Sequence, residues 1–490
     1  MDYLLFAILI LAACSIGIPL LQFVKESGKT PAYVLMAALA LAIALVAGNT
    51  FSPQPVAYFG TLLSSDSLGG IFALVTLSVT LFVSAASLTL FPTSNSPSYY
   101  SLLSFTALGM LLLSYSADLL MLFVAWELMS IPTYVLAGFQ KNSAQSNEAS
   151  VKYAILGALS SAIILYAISL TYGVTGTTEI LQAAKSLASQ PFNPIASVAI
   201  LLFMVGFGFK MSIVPFHMWA PDAYEGAPTP IGTLFAAATK KAGFVAAIRV
   251  LLVASTLYSI TQNPLFTIAN VFAVLSFLTM TYGNLAALTQ KSITRLLAYS
   301  SIAQAGYILI GFVIYSYSQR NPAYDQEAIL GMTGALFHII NHSVMTGAAF
   351  LGAGLVILKL GSGDVQAFKG LGKRMPKTAF TLTISLLALA GVPPLSGFWS
   401  KLLLFMSVVN TPYAWLAVAG VVNSALSMGY YGWIIKRMYM DDPDSYTIVK
   451  EPASMVIIFG VLTAAIILMG VFPDAFISFL QNIVPTIAGH

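Results

Sequence analysis

The sequence predicts an all-α, polytopic membrane protein, and three observations carry that prediction. Of 490 residues, 58% are hydrophobic and 8% charged, and the mean hydropathy is +0.87. Apolar segments long enough to cross ~30 Å of hydrocarbon recur along the whole chain. Basic residues gather in alternate connections between those segments. Such a composition excludes a water-soluble domain, and a net charge of +4 is no nucleic-acid signal. The single cysteine, Cys14, excludes a disulfide framework and a cysteine-held cluster.

About fourteen spans can be drawn, each of roughly 20 residues or more. They cover 3–23, 31–50, 68–91, 99–116, 119–139, 150–172, 195–217, 230–256, 266–287, 293–316, 327–358, 378–409, 412–435 and 453–476. The first, "LLFAILILAACSIGIPLLQFV", has the look of a leader, but Met1-Asp2 offers no positive n-region and the stretch is long enough to span, so it is expected to be retained. No soluble domain fits between spans, so residues 1–490 read as a single transmembrane domain. Lys25, Lys29, Lys141, Lys152, Lys291, Arg295, Lys359, Lys369, Lys373, Arg374, Lys377, Lys436, Arg437 and Lys450 fall in the odd-to-even connections, against Lys185 and Arg320 opposite. The positive-inside rule then places those connections in the cytoplasm and both termini outside.

Five basic residues remain within spans: Lys210, Lys240, Lys241, Arg249 and Lys401. A charge at the centre of a span costs ~2.5–3.5 kcal/mol, so each needs a reason. Arg249 lies ~28 Å along its helix and is expected to snorkel to the outer interface, where Asp118 also falls. Glu127, ~14 Å into its span, sits near the midplane and cannot escape. Lys240 is also at mid-depth, on a face with Gly232, Ala236, Gly243 and Ala247, whereas Lys241 is rotated by about 100°. Small residues mark close packing inside a bundle, which makes Lys240 the expected inward lysine.

A continuous helix from residue 378 would carry Lys401 ~34 Å, past the far interface. Pro393 and Pro394 in "AGVPPLSGFWSK", with Gly391 and Gly397 beside them, predict a break, and freed backbone groups there need protein or water around them. Lys210 has Pro215 five residues later in "FGFKMSIVPFHMW". Lysine precedes proline in span seven and follows it in span twelve, the mirrored order of two inverted five-helix repeats, spans 4–8 (about 99–256) and 9–13 (about 266–435). His338 and His342 share a helix face, a spacing open to proton relay, structural hydrogen bonding or metal binding, although no nearby intramembrane carboxylate or cysteine completes a tetrahedral site. His217 follows span seven near the cytoplasmic surface, as a proton-uptake or gating residue or a packed one.

The motifs "WELMSIPTYVLAGF", "SNEASVKYAILGALSSAIILYA", "FKMSIVPFHMWAPDAYEGAPTP", "TKKAGF", "KSITRLLAYSSIAQAGY" and "GVPPLSGFWSK" resemble the antiporter-like membrane subunits of respiratory complex I and related proton-translocating dehydrogenases. The resemblance covers nearly the whole chain and is to the N-type subunit: no long lateral helix follows the fourteenth span, and position 401 is lysine. It implies that Glu127 is the fifth-helix glutamate, Lys210 the lysine that pairs with it, Lys240 the connecting lysine and Lys401 the lysine of broken helix twelve. The eleventh helix departs from the distal subunits, with Thr346 where those carry lysine. The implied function is proton translocation through these residues in a complex I-type redox pump, with His338, His342 and His217 assisting. Redox chemistry belongs to partners, because no nucleotide fingerprint, cysteine set or haem ligand pair is present. The chain is expected to carry no cofactor and no metal. Its implied partners are other membrane-arm subunits, further antiporter-like subunits among them, bearing iron-sulfur clusters, a flavin or other donor site and a quinone or phenazine site, in a lipid-filled cell or thylakoid membrane. The rival readings are an Mrp-type cation/proton antiporter subunit, a membrane-bound hydrogenase subunit and a purely structural membrane-arm subunit.

Overall fold

The computed structural model describes residues 3–23, 28–50, 56–91, 96–189, 192–257, 267–443 and 446–488. Lys25 and the turn between the third and fourth spans lie outside them. Helices occupy every one of the sequence-predicted segments. They are α1 (Tyr3–Gly17), α2 (Thr30–Thr50), α3 (Ser67–Leu90), α4 (Pro97–Tyr115), α5 (Leu119–Ala137), α6 (Ala144–Thr175), α7 (Ile180–Ser189), α8 (Pro194–Met211), α9 (Trp219–Gly226) and α10 (Thr229–Leu234). Then come α11 (Lys240–Ala247), α12 (Val253–Leu257), α13 (Ile268–Leu288), α14 (Ile293–Ser318), α15 (Asp325–Leu360), α16 (Leu371–Arg374), α17 (Pro376–Ala390), α18 (Ser396–Val409), α19 (Ala414–Tyr439), α20 (Ala453–Val471) and α21 (Pro473–Gln481). Among the described residues, ten helices are long and apolar enough to cross a membrane. The protein is therefore a multi-pass membrane protein.

The sequence anticipated no strand. The connection from α2 to α3 nevertheless folds into an antiparallel ribbon of β1 (Val56–Tyr58) and β2 (Leu63–Ser65), pinned by the buried Leu63.

At the centre, α14 packs between α13 and α15, and α15 in turn carries α17 and α18 on its flank. Lipid offers no hydrophobic drive for helices to associate, so close backbone approach has to supply the contact. At Gly109, an added Cβ would lie 2.3 Å from the Met129 nitrogen, and at Gly306, 2.5 Å from that of Met280. Buried hydroxyls are satisfied within their own helices, as where Thr76, Thr80, Ser84 and Ser87 of α3 donate to carbonyls one turn back.

Two ion-pair groups sit at opposite ends of the bundle. Arg249 has a fixed partner at its end of the bundle. Its guanidinium forms a two-pronged pair with Asp66 (2.9 Å on both arms) and donates to the Ser114 carbonyl, so a partner distant in sequence supplies what the outer interface was expected to supply. Asp118 caps α5, accepting from the Leu120 and Met121 amides. At the other end, Asp222 of α9 accepts from Lys152 of α6 (2.8 Å) and Arg295 of α14 (2.7 Å), and Glu225 accepts from Arg295 (3.1 Å). Partial burial pushes the Asp222 carboxyl up, but the hydrogen bonds from Lys152 and Arg295 outweigh that and hold it below the usual carboxylate value.

Candidate functional site

The first break is built around Lys210. Asn193 caps the start of α8, and the helix ends one residue after Lys210, where Ser212 takes a left-handed conformation (φ 54°) and Val214–Pro215 is a cis peptide. Carbonyls released there find partners: Phe209 O accepts from the Trp219 indole at 2.8 Å. The Val214 amide donates to Thr279 Oγ1 at 3.0 Å. Lys210 is 1% exposed and lies in the last turn of α8, where the helix dipole favours a cation. Its ammonium donates to the Tyr153 hydroxyl (2.8 Å) and to Ser130 Oγ (3.1 Å), over the ring of Tyr153.

Glu127 does not touch it. The Glu127 carboxylate accepts from the Ser161 hydroxyl, and no ion pair forms between Glu127 and Lys210 among the described residues. The direct pairing implied by resemblance is thus absent from this structure, and α6 is the reason. Tyr153 and Ser161 lie eight residues apart on that helix, ~12 Å at its rise, and each holds one of the would-be partners.

The second break is a mirror in order and a contrast in chemistry. Gly391 closes α17 with φ 90°, and Pro393–Pro394 is a cis peptide before α18 begins. Lys401, on the second turn of α18, reaches back across the gap. Its ammonium donates to the freed carbonyls of Leu389 (2.9 Å) and Ala390 (3.1 Å) and to Ser424 Oγ (3.1 Å), 4.7 Å above the Tyr307 ring. A cation at the C-terminal end of α17 meets the negative pole of that helix.

Between the breaks runs a buried polar line. Lys240 donates to the carbonyl (2.7 Å) and hydroxyl (3.2 Å) of Ser301. Lys241 is hydrogen-bonded to His342 Nδ1. The His342 and His338 rings are 6.2 Å apart, and His338 bonds Ser400 Oγ through Nδ1 and Gln304 Oε1 through Nε2, both at 2.9 Å. Gln304 in turn donates to Leu389 O at 3.0 Å, the same carbonyl that binds Lys401. The line therefore runs Lys241, His342, His338, Gln304, Leu389 O, Lys401.

Both lysines of the pair face inward. Lys240 and Lys241 are both buried (1% and 0% exposed), and Lys241, not Lys240, contacts the histidines. The reasoning from small residues found the face packed on α8, where a Cβ on Gly243 would meet the Lys210 Cβ at 3.1 Å. It missed that the segment is enclosed by protein on all sides and flanked by two π-helical turns, Phe235–Thr239 and Ile248–Leu252. Wide turns of this kind re-aim side chains and often mark functional sites.

His217 is buried with its ring against Tyr282 at 4.6 Å. Thr346 is buried on α15, one turn beyond His342. Sequence reasoning passed over Gln304, Ser400, Ser301, Tyr153, Ser130 and Ser161. Only Gln304 left a signal, as a side-chain amide in the middle of an apolar span. Among the described residues, no three His, Cys, Asp or Glu side chains come together to hold a metal.

The family described as "NADH:quinone oxidoreductase/Mrp antiporter, TM" matches residues 116–427, a stretch that holds every residue of the line. The chain belongs to that family. Within the NADH:quinone oxidoreductase/Mrp antiporter family it is similar to the F(420)H(2) dehydrogenase subunit N of Methanosarcina mazei, 40% identical over 430 residues, covering 86% of this chain and 84% of the relative. The NADH-quinone oxidoreductase subunit N of Desulfitobacterium hafniense is 41% identical over 381 residues, covering 76% of this chain and 75% of the relative. Among solved structures, respiratory complex I from Thermus thermophilus contains a chain that matches with a TM-score of 0.80 at 29% identity, covering 97% of this chain and 99% of that one. A chain of the membrane-bound sulfane sulfur reductase, an archaeal respiratory membrane complex, matches with a TM-score of 0.88 at 26% identity, covering 100% of this chain and 98% of that one.

Proposed function

We propose that this chain is an N-type, antiporter-like subunit of a complex I-type redox-driven pump, moving protons through its buried charge row and doing no redox chemistry itself. The observation that carries the reading is the line of Lys241, His342, His338, Gln304 and Lys401, with Lys210 and Glu127 at its head. So many intramembrane ionisable groups on one path mark transport, because a structural bundle has no use for their cost. Subunit N relatives from an F(420)H(2) dehydrogenase and from NADH-quinone oxidoreductases favour a redox-driven pump over a free-standing antiporter.

The mechanism follows from linkage between proton affinity and surroundings. A buried ammonium is held less tightly than an exposed one, and a nearby carboxylate strengthens the hold. Glu127 approaching Lys210 loads that lysine from the cytoplasmic side, with His217 as the gate. Release of Glu127 to Ser161 and of Lys210 to Tyr153 and Ser130, the arrangement seen here, lowers the hold and sends the proton towards Lys240 and Lys241. From there His342, His338 and Gln304 lead to Lys401, which discharges to the outside.

Fourteen crossings, inverted repeats over about 99–256 and 266–435, and termini on the outer face complete the architecture. Partner membrane-arm subunits and a peripheral arm with iron-sulfur clusters, a flavin or other donor and a quinone or phenazine site supply the driving reaction. The test is the purified native complex in proteoliposomes. Lys210→Ala is expected to abolish acidification of the lumen while the subunit still co-purifies, and full pumping by the variant contradicts the proposal. Sodium-dependent transport without redox partners would instead support an Mrp-type exchanger.

A further inference from the structure

The proposed row has a gap. Lys210 is bound by Tyr153 and Ser130, and Lys240 by Ser301, with no direct hydrogen bond between the two groups. One side chain that neither the motif reading nor the proposed path uses lies in that gap. Tyr224 of α9 is 1% exposed, wedged edge-on between the Trp219 ring (5.8 Å) and the Phe350 ring (5.9 Å). Its hydroxyl has the hydroxyls of Ser212 and Ser301 as neighbours and interacts with that of Tyr153. Ser212, two residues from Lys210, is buried as well. Tyr224 thus neighbours both Tyr153, which binds Lys210, and Ser301, which binds Lys240.

We propose that the Tyr224 hydroxyl is the proton-transfer link from Lys210 to Lys240. This rests on the proton-translocating reading given above. The step is a relay of O–H and N–H bonds only. The Lys210 ammonium gives a proton to the Tyr153 oxygen, whose own hydroxyl proton moves to the Tyr224 oxygen. Tyr224 releases its original proton to Ser301, and Ser301 passes its own to the neutral amine of Lys240. Lys210 ends neutral and Lys240 ends as an ammonium, while each hydroxyl recovers its proton and nothing is oxidised. A bridging water, or a small approach of α9, completes the links around Tyr224, and the clustered hydroxyls are the two to four polar partners such a water needs. The short helix is anchored for this role on its other face, where Asp222 and Glu225 bind Lys152 and Arg295.

The test uses the native complex in proteoliposomes. Tyr224→Phe removes the hydroxyl and keeps the ring, so the contacts with Trp219 and Phe350 survive. Proton translocation is expected to fall by about tenfold or more, the low end of what positioned proton-transfer groups contribute. Full pumping in the assembled Tyr224→Phe complex overturns the proposal. Should that variant fail to assemble, Ser301→Ala, which removes the hydroxyl between Tyr224 and Lys240, decides by the same criterion. Lys210→Ala, run in parallel, separates the two layers: lost pumping there with full pumping in Tyr224→Phe defeats this inference alone, whereas full pumping in Lys210→Ala defeats the translocation reading beneath it.

Discussion

The two broken helices place a lysine on opposite sides of a proline and then treat it differently. Lys401 is bound by backbone: the Leu389 and Ala390 carbonyls that the break releases, with one hydroxyl added. Lys210 is bound by side chains from two other helices, Ser130 of α5 and Tyr153 of α6, while the indole of Trp219 takes the carbonyl its own break releases. Carbonyls fixed in one element give an ammonium a constant setting. Hydroxyls on neighbouring helices give one that changes whenever α5 or α6 shifts, and Glu127 rides on α5. On the proposed reading, the difference singles out the end of the row that can switch: Lys210 is open to perturbation, and Lys401 would hold a proton until it is displaced.

The largest effect expected from this contrast is on stability. Lys401→Ala removes a donor from two buried carbonyls, leaving Leu389 O to Gln304 and Ala390 O to Ser424, at about 0.5–1.5 kcal/mol for each hydrogen bond lost. Thermal unfolding of the purified complex should therefore show a clear loss of subunit stability, along with lost pumping. Lys210→Ala leaves only hydroxyls, which can rotate to other partners, and should cost about 1 kcal/mol while pumping is equally lost. Equal destabilisation by the two variants would break the contrast. Tyr153→Phe removes a partner of Lys210 and the first link of the proposed relay, and nothing from Lys401, so pumping should fall as in Tyr224→Phe. The pH profile of proton uptake should move, with no matching change when Ser424→Ala is made at the other end.

The smallest effect concerns the ion-pair anchor of α9. Asp222 has its carboxyl value depressed by Lys152 and Arg295, so its contribution is complete above the unfolded carboxylate value of ~3.9 and is lost as pH falls through the lower folded value. Hydrogen exchange of α9 should accelerate as the pH drops through that range, and Arg295→Ala, removing a partly exposed ion pair worth about 1 kcal/mol or less, should speed it already at neutral pH.

Much of this was legible in the sequence for physical reasons. Helices fill the predicted segments because period and length in an apolar chain leave few alternatives. Both breaks were marked by proline, and Glu127, Lys210, Lys240, Lys401 and the two histidines stood out because charge in an apolar span is costly. What was not legible is pairing. Arg249 has Asp66 as its partner across most of the first half of the chain, a contact that no local pattern announces. Lys241 was set aside because the small residues share the face of Lys240, an argument that does not separate two side chains on a segment enclosed on every side and flanked by π turns. The separation of Glu127 from Lys210 depends on two α6 hydroxyls, and serines and tyrosines in a span carry no distinguishing signal.

The central claim is that the approach and withdrawal of Glu127 switches the proton on Lys210. The most direct measurement is the number of protons translocated per electron by the assembled Glu127→Gln complex in proteoliposomes. Glutamine preserves the shape and its contact with Ser161 but removes the charge, so the account predicts a strongly reduced ratio with normal assembly. An unchanged ratio would contradict it.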